Sequence, residues 1–350
     1  MHRRVVRALT GFGLACLWAG YAMAVSDDSA RWQALSQPHF QIIESEDQHL
    51  DGPIRAFAQD QSGFIWTVSD YTLWRWDGYN LRQAHFSGPE SAQTPDILTV
   101  QNDRAGRIWV GTSKGLYTVP AGTLVLNKDD RKPINDARID FLAFTHHSNT
   151  AYAGNWQTLY VWHTDTNTDK IEVLSLGDKT NWISAVQMSA DDTLWVATGK
   201  GLFASRADAK GPPQLQPVKA MAGISDLSAL GLSKDGTLWV GTDKSGVYAY
   251  RPGEPVRAVN LPQFSGQHVW PLAIHEIRPG VIWFGTYGKG IIEYTVENGH
   301  SKLIQQQRLQ KTNLLDNDIW SFFQDRRGIL WIGSRLGANM YNAAQTAIQH

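Results

Sequence analysis

The chain has 350 residues, 42% hydrophobic and 19% charged, with a formal net charge of −1, 15 tryptophans and one cysteine. Moderate charge and scattered apolar residues exclude a collagen, a long disordered chain and a polytopic membrane protein. With no Lys/Arg run beyond residue 7, a nucleic-acid partner has no electrostatic footing.

Arg3, Arg4 and Arg7 precede an uncharged stretch, Ala8 to Ala24, that closes on Ala22-Met23-Ala24. A basic n-region, a short apolar h-region and a small-x-small end predict a cleaved secretory signal over 1–24. The stretch contains Gly11, Gly13 and Gly20 and is short for a membrane span. Cleavage takes away Cys16 along with three of the 32 basic side chains and none of the 33 acidic ones. The mature chain can then form no disulfide and no thiolate metal site, and its stability has to come from its core. The expected product is periplasmic and not inserted in the membrane. Residues 25–37 read as a lead-in.

Phe40-Gln41-Ile42-Ile43-Glu44 is a strand standing ahead of a repeat. The repeat begins as Gly63-Phe64-Ile65-Trp66-Thr67-Val68-Ser69 and returns as Gly106-Arg107-Ile108-Trp109-Val110-Gly111-Thr112. Later copies centre on Trp195, Trp239, Trp283 and Trp331. Successive anchors are 43, 86, 44, 44 and 48 residues apart, and the double step points to a hidden copy at Tyr152. Seven units result.

Each unit carries an apolar run before the anchor that closes on a turn. Asp60 to Gly63, Asp103 to Gly106 and Asp325 to Gly328 are Asp-x-x-Gly hairpin signals. A further glycine turn leads into a third strand, and polar-bounded runs such as Arg257-Ala258-Val259 supply a fourth. The repeated glycines read as turn residues. No helical periodicity is sustained anywhere between 40 and 340. Four strands in about 44 residues make the blade of a β-propeller. The predicted fold is therefore all-β, a seven-bladed propeller of four-stranded blades over 38–342 with a tail at 343–350. The last unit lacks an outer strand, and the Phe40–Glu44 segment is expected to supply it and close the ring.

The phrase Asp-x-x-Gly-x-Ile-Trp-x-Gly-Thr-x-x-Gly-Leu resembles the two-component regulator propeller repeat. The resemblance spans 38–342, and Arg75-Trp76-Asp77-Gly78-Tyr79-Asn80 looks like the usual first blade of that family. It implies a periplasmic sensor part of a histidine kinase or diguanylate cyclase. Such receptors commonly carry a second propeller, a membrane helix and an output domain. No kinase or cyclase signature occurs up to His350, so the expectation is a fragment, a truncated product or a stand-alone propeller. The streptogramin-lyase type of propeller is the catalytic alternative.

Anchor tryptophans at one register in every unit are packing positions, not a ligand cage. Function is expected where the units differ, on loops around the channel. Thirteen residues before each anchor stand Pro53, Asp96, Ile139, Trp182, Asp226, Trp270 and Asp318, with Trp320 two places beyond the last. Loops between the second and third strands add Asp70, Tyr71, Lys114, Asn155, Trp156, Lys200, Lys244, Tyr287, Lys289 and Arg335. From these the expected ligand-binding set is Trp182, Trp270, Trp320, Asp96, Asp226, Asp318, Tyr71, Trp156, Tyr287 and Arg335. Ring faces with acceptor groups suit a saccharide or another small polar ligand. His146, His147, His268 and His275 fall in no catalytic motif. His275 and Glu276 are adjacent on an expected strand and so point to opposite faces. No catalytic residue, cofactor or metal is expected. The remaining alternatives are a lyase acting on a cyclic substrate and a protein-interaction platform, with a membrane sensor kinase or cyclase as the partner class.

Overall fold

The computed structural model describes residues 38–44, 48–87, 94–164, 170–174, 176, 181–206, 214–261, 267–307 and 313–343. The expected signal segment 1–24, the lead-in 25–37 and all but the first residue of the tail lie outside them.

Seven four-stranded antiparallel blades form a ring. Their inner strands are Phe57–Gln59, Ile97–Asn102, Phe141–Phe144, Ile183–Met188, Leu227–Leu232, Pro271–Arg278 and Ile319–Gln324. Each inner strand neighbours the next, and the first returns to the seventh. The second strands carry the anchors: Ile65–Ser69, Ile108–Thr112, Thr150–Gly154, Thr193–Thr198, Leu238–Thr242, Val281–Thr286 and Leu330–Ser334. Phe40–Ile42 pairs antiparallel with Gly337–Tyr341 and is the outer strand of the seventh blade. The ring is thus closed by the N-terminal strand, and Phe40 is buried against Trp283 and Tyr341. One addition was not foreseen: His85–Phe86 leaves the first blade and pairs parallel with the outer strand of the second. Among the described residues the helical content is a single 3-10 turn, Lys219–Met221.

The core is divided into seven apolar clusters, one at each seam between neighbouring blades. Trp66, Trp109, Tyr152, Trp195, Trp239, Trp283 and Trp331 each enter the cluster shared with the following blade. Burying one large apolar side chain stabilises by about 1.5–3 kcal/mol, so a repeated aromatic at each seam accounts for much of the ring's cohesion. The indole N–H groups of Trp66, Trp109 and Trp331 donate to Asp60, Asp103 and Asp325 at 2.8, 3.0 and 3.4 Å. Those carboxylates also cap their own turns, accepting from the backbone of Phe64, Arg107 and Ile329. In the sixth blade Ile277 occupies the Asp position, and Glu293 on the third strand accepts from Trp283 at 2.8 Å instead.

The degenerate third blade is supported from its neighbour. Asp192 takes the turn-glycine position of the fourth blade, with φ 63°. Its carboxylate accepts the backbone N–H groups of His146, His147 and Ser148 at 2.5, 3.0 and 3.0 Å. Burial opposes the Asp192 charge, but these three donors outweigh it and hold its pKa below the usual carboxylate value.

The glycines of the Trp-x-Gly-Thr phrase correct the expectation that all the repeated glycines make turns. Gly111, Gly241, Gly285 and Gly333 lie inside second strands. A Cβ on Gly111 would come within 2.6 Å of the Ile139 carbonyl oxygen, and one on Gly333 within 2.3 Å of that of Ile54. Close approach of the following blade is what requires glycine there.

Candidate ligand site at the channel mouth

The second-to-third-strand turns and the approaches to the inner strands share one face and are tied together around it. Tyr71 accepts the Ile97 N–H, Trp156 that of Ile183, and Trp270 that of Tyr287. These bonds fix the rim around a cavity of about 730 Å³, a volume suited to a small-molecule ligand.

The wall comes from a register that the sequence analysis did not single out. In five blades the inner strand carries a bulge, between Ile97 and Thr99, Ile183 and Ala185, Leu227 and Ala229, Pro271 and Ala273, and Ile319 and Ser321. The unpaired residue in each case stands eleven places before the anchor. A bulge re-aims the side chain it carries, and here that side chain lines the cavity. With the corresponding residues of the first and third blades, the series is Arg55, Leu98, Phe141, Ser184, Ser228, Leu272 and Trp320. The series runs in chemistry from a guanidinium to an indole.

Of the ten expected site residues, Tyr71, Trp156, Trp270, Tyr287 and Trp320 come together on this wall. Trp270 and Tyr287 are in ring contact at 5.4 Å. The Trp270 and Trp320 indole nitrogens are enclosed and have no acceptor, so the part of each ring that reaches the cavity is carbon. Trp182 stays outside it, lying on the backbone of Gly199. Asp96 exchanges bonds with Ser113: its N–H donates to the hydroxyl, and its carbonyl accepts the Ser113 N–H. Asp226 accepts the Asp243 N–H through its carbonyl and pairs with Lys244 at 3.3 Å. The Asp318 carboxylate receives the Gly288 N–H at 2.5 Å and the Arg335 guanidinium at 2.9 Å, tying blade six to blade seven. Arg335 also meets Asp316 at 3.2 Å. These five residues bind the rim loops to one another.

Four charged groups complete the wall: Arg55, Asp70, Arg138 and Asp140. Arg138 holds Asp140 through Nη2 to Oδ1 at 2.7 Å and Nε to both oxygens at 3.0 Å. That carboxylate raises the Arg138 pKa above its ordinary value against the effect of burial. His275 and Glu276 lie elsewhere and apart from each other. Glu276 accepts the Lys234 and Gly280 N–H groups at 2.7 and 3.0 Å, while the His275 ring faces Phe322. Burial lowers the His275 pKa to about 4. Among the described residues no group of three or more His, Cys, Asp or Glu side chains could hold a metal. No helix among them is long and apolar enough to cross a membrane.

A sequence profile of the two component regulator propeller matches residues 313–335, which hold the inner and second strands of blade seven. The seventh blade carries that repeat. Among solved structures, the chain is similar to an extracellular domain from B. thetaiotaomicron described both as a one component and as a hybrid two component system. The TM-score is 0.70 at 18% identity, over 86% of this chain and 39% of the other. A second such domain from the same organism gives 0.69 at 15%, over 88% and 42%. The chain therefore spans about two-fifths of the length of these extracellular domains. Virginiamycin B lyase from Staphylococcus aureus, in a catalytically inactive form with quinupristin, gives 0.66 at 11%, over 87% and 99%. Likeness at these identities establishes the fold. No curated protein sequence matches the chain.

Proposed function

We propose that the chain is the ligand-sensing propeller of a two-component or diguanylate-cyclase signalling system, acting in the periplasm. Its ligand, a saccharide or other small polar ring compound, sits in the channel mouth. The observation that carries this reading is the contrast between a scaffold register that repeats and a channel register that differs from blade to blade around a cavity of about 730 Å³. A ligand without seven-fold symmetry requires such a wall. Trp270, Tyr287 and Trp320 on blades six and seven offer ring faces. Ser184 and Ser228 on blades four and five offer hydroxyl groups, which already donate to backbone carbonyls and keep acceptor lone pairs. The likeness to extracellular sensor domains supports the signalling role, and a membrane kinase or cyclase is the partner class this implies.

Thermal melting of the protein against a panel of oligosaccharides, glycan breakdown products and small metabolites tests the reading. A ligand at a hundred times its dissociation constant adds about 2.7 kcal/mol. A concentration-dependent rise in Tm for one class, lost when Trp270 and Trp320 are replaced by alanine, is expected. A panel without a shift, or a shift indifferent to both replacements, removes the channel site from consideration. The near-complete span of the lyase structure favours a second, catalytic reading. Product formation from a cyclic substrate by the unmodified protein would select it.

A further inference from the structure

The charged groups of the channel wall are not equivalent. Arg138 and Asp140 neutralise each other through the forked contact described above. Asp70 lies in the rim turn on a backbone of φ 45°, beside Gly52. Arg55, itself exposed, stands at the channel-facing register. Its guanidinium carbon lies 4.4 Å from the centre of the Trp320 ring. It forms no ion pair with any described residue. Stacking on an indole uses the face of a guanidinium and leaves its N–H donors, which lie in its plane, open at the edge. A fork of such donors beside an aromatic wall is suited to the two oxygens of an oxyanion. Beside it, Leu98, Leu272, Trp270 and Trp320 present carbon to the cavity.

The geometry points to Arg55 as an oxyanion-recognising residue: the occupant of the channel is a ring compound bearing a carboxylate or a sulfate-type group. The charged group lies on the Arg55 fork and the ring packs on Trp320 and Trp270. This deepens the channel-mouth reading and rests on it. Asp70, on the same wall, opposes the anion.

Three probes matched in ring and size separate the possibilities: benzoate, benzenesulfonate and benzamide. Each is titrated into the full chain and followed by the indole N–H resonances of Trp270 and Trp320, assigned with the Trp270→Phe and Trp320→Phe variants. Both anions are expected to move the two resonances with dissociation constants about five-fold or more below that of benzamide. Salt at about 0.5 M should shrink the advantage, and Arg55→Gln should abolish it while leaving the melting temperature unchanged. Arg55→Lys, which keeps the charge and loses the fork, should fall between, and Asp70→Asn should tighten anion binding about two-fold. A stronger response to benzoate identifies a carboxylate ligand, and a stronger response to benzenesulfonate a sulfate ester. Benzamide binding as tightly as the anions, or an anion preference that survives Arg55→Gln, overturns the inference and leaves the channel site standing. Silence of both resonances toward all three probes overturns the channel site and the inference together.

Discussion

Every blade gives one side chain to the seam with its neighbour and one to the channel, and the two positions lie eleven residues apart on the same repeat. Blade seven shows the difference with one residue type. Trp331 is 1% exposed, packs on Phe57 and donates its indole N–H to Asp325. Trp320, half-buried on the bulge, lies under Arg55 and has no acceptor for its indole nitrogen. The seam repeats because each blade meets the next in the same geometry, so one aromatic solves the problem seven times. At the channel the seven side chains face one another across a common space, and nothing in the packing requires them to agree. Variation at that register is what the fold leaves open for a ligand.

Replacing the two tryptophans separately is the strongest way to break this comparison. Trp331→Ala should destabilise the protein by about 3–5 kcal/mol in denaturant melts, whereas Trp320→Ala should cost less than about 1 kcal/mol and act on ligand binding. Equal losses would place Trp320 in the scaffold.

A polar group enclosed on an inner strand sharpens the picture. His275 is held neutral by burial, with a pKa of about 4 against an ordinary 6.5. Unfolding lets it take up a proton, so its contribution is fully present above about pH 6.5 and is lost as the pH falls toward 4. The effect is on the order of 3 kcal/mol. Melts at several pH values should show this acid slope in the unmodified protein and a shallower one in His275→Gln; identical slopes would show that the ring is not desolvated.

Asp103 serves the seam from its turn, accepting from Arg107 and from Trp109. Asp103→Ala leaves both donors without it and should cost about 1–3 kcal/mol by thermal melting. Least in size, Tyr152→Phe removes a buried hydroxyl that has no partner and should be neutral or stabilising by up to about 1 kcal/mol. A clear loss would mean that the hydroxyl has a partner in solution.

Much of the ring was readable from tryptophan spacing, because a seam position must recur at the blade period. The same reasoning led from the gap between Trp109 and Trp195 to Tyr152, and from the short last unit to the closing strand Phe40–Ile42. The channel wall was less legible. Counting back thirteen residues reached the rim, where Trp270 lines the cavity but Asp96, Asp226 and Asp318 tie loops together. The wall lies two places on, at residues that the bulges rotate inward, and a bulge has no signature in a strand of alternating residues. Ser184 and Ser228 were missed for that reason, and Arg55, two places ahead of the short strand Phe57–Gln59, because it stands outside the strand pattern. The supporting roles of Asp192 and Glu293 were hidden as well: Asp192 reaches the turn of the neighbouring blade, and Glu293 takes the turn carboxylate's place from the third strand.

The central claim is that the channel register binds and the seam register holds. Calorimetric titration of the compound that gives the largest thermal shift, into the unmodified protein and into Trp270→Ala/Trp320→Ala, tests it most directly. Affinity should fall at least about ten-fold, roughly 1.4 kcal/mol, in a variant whose melting temperature without ligand stays within about 2–4 °C of the original. Unchanged affinity in that variant, or a collapse of its stability, would contradict the division between the two registers.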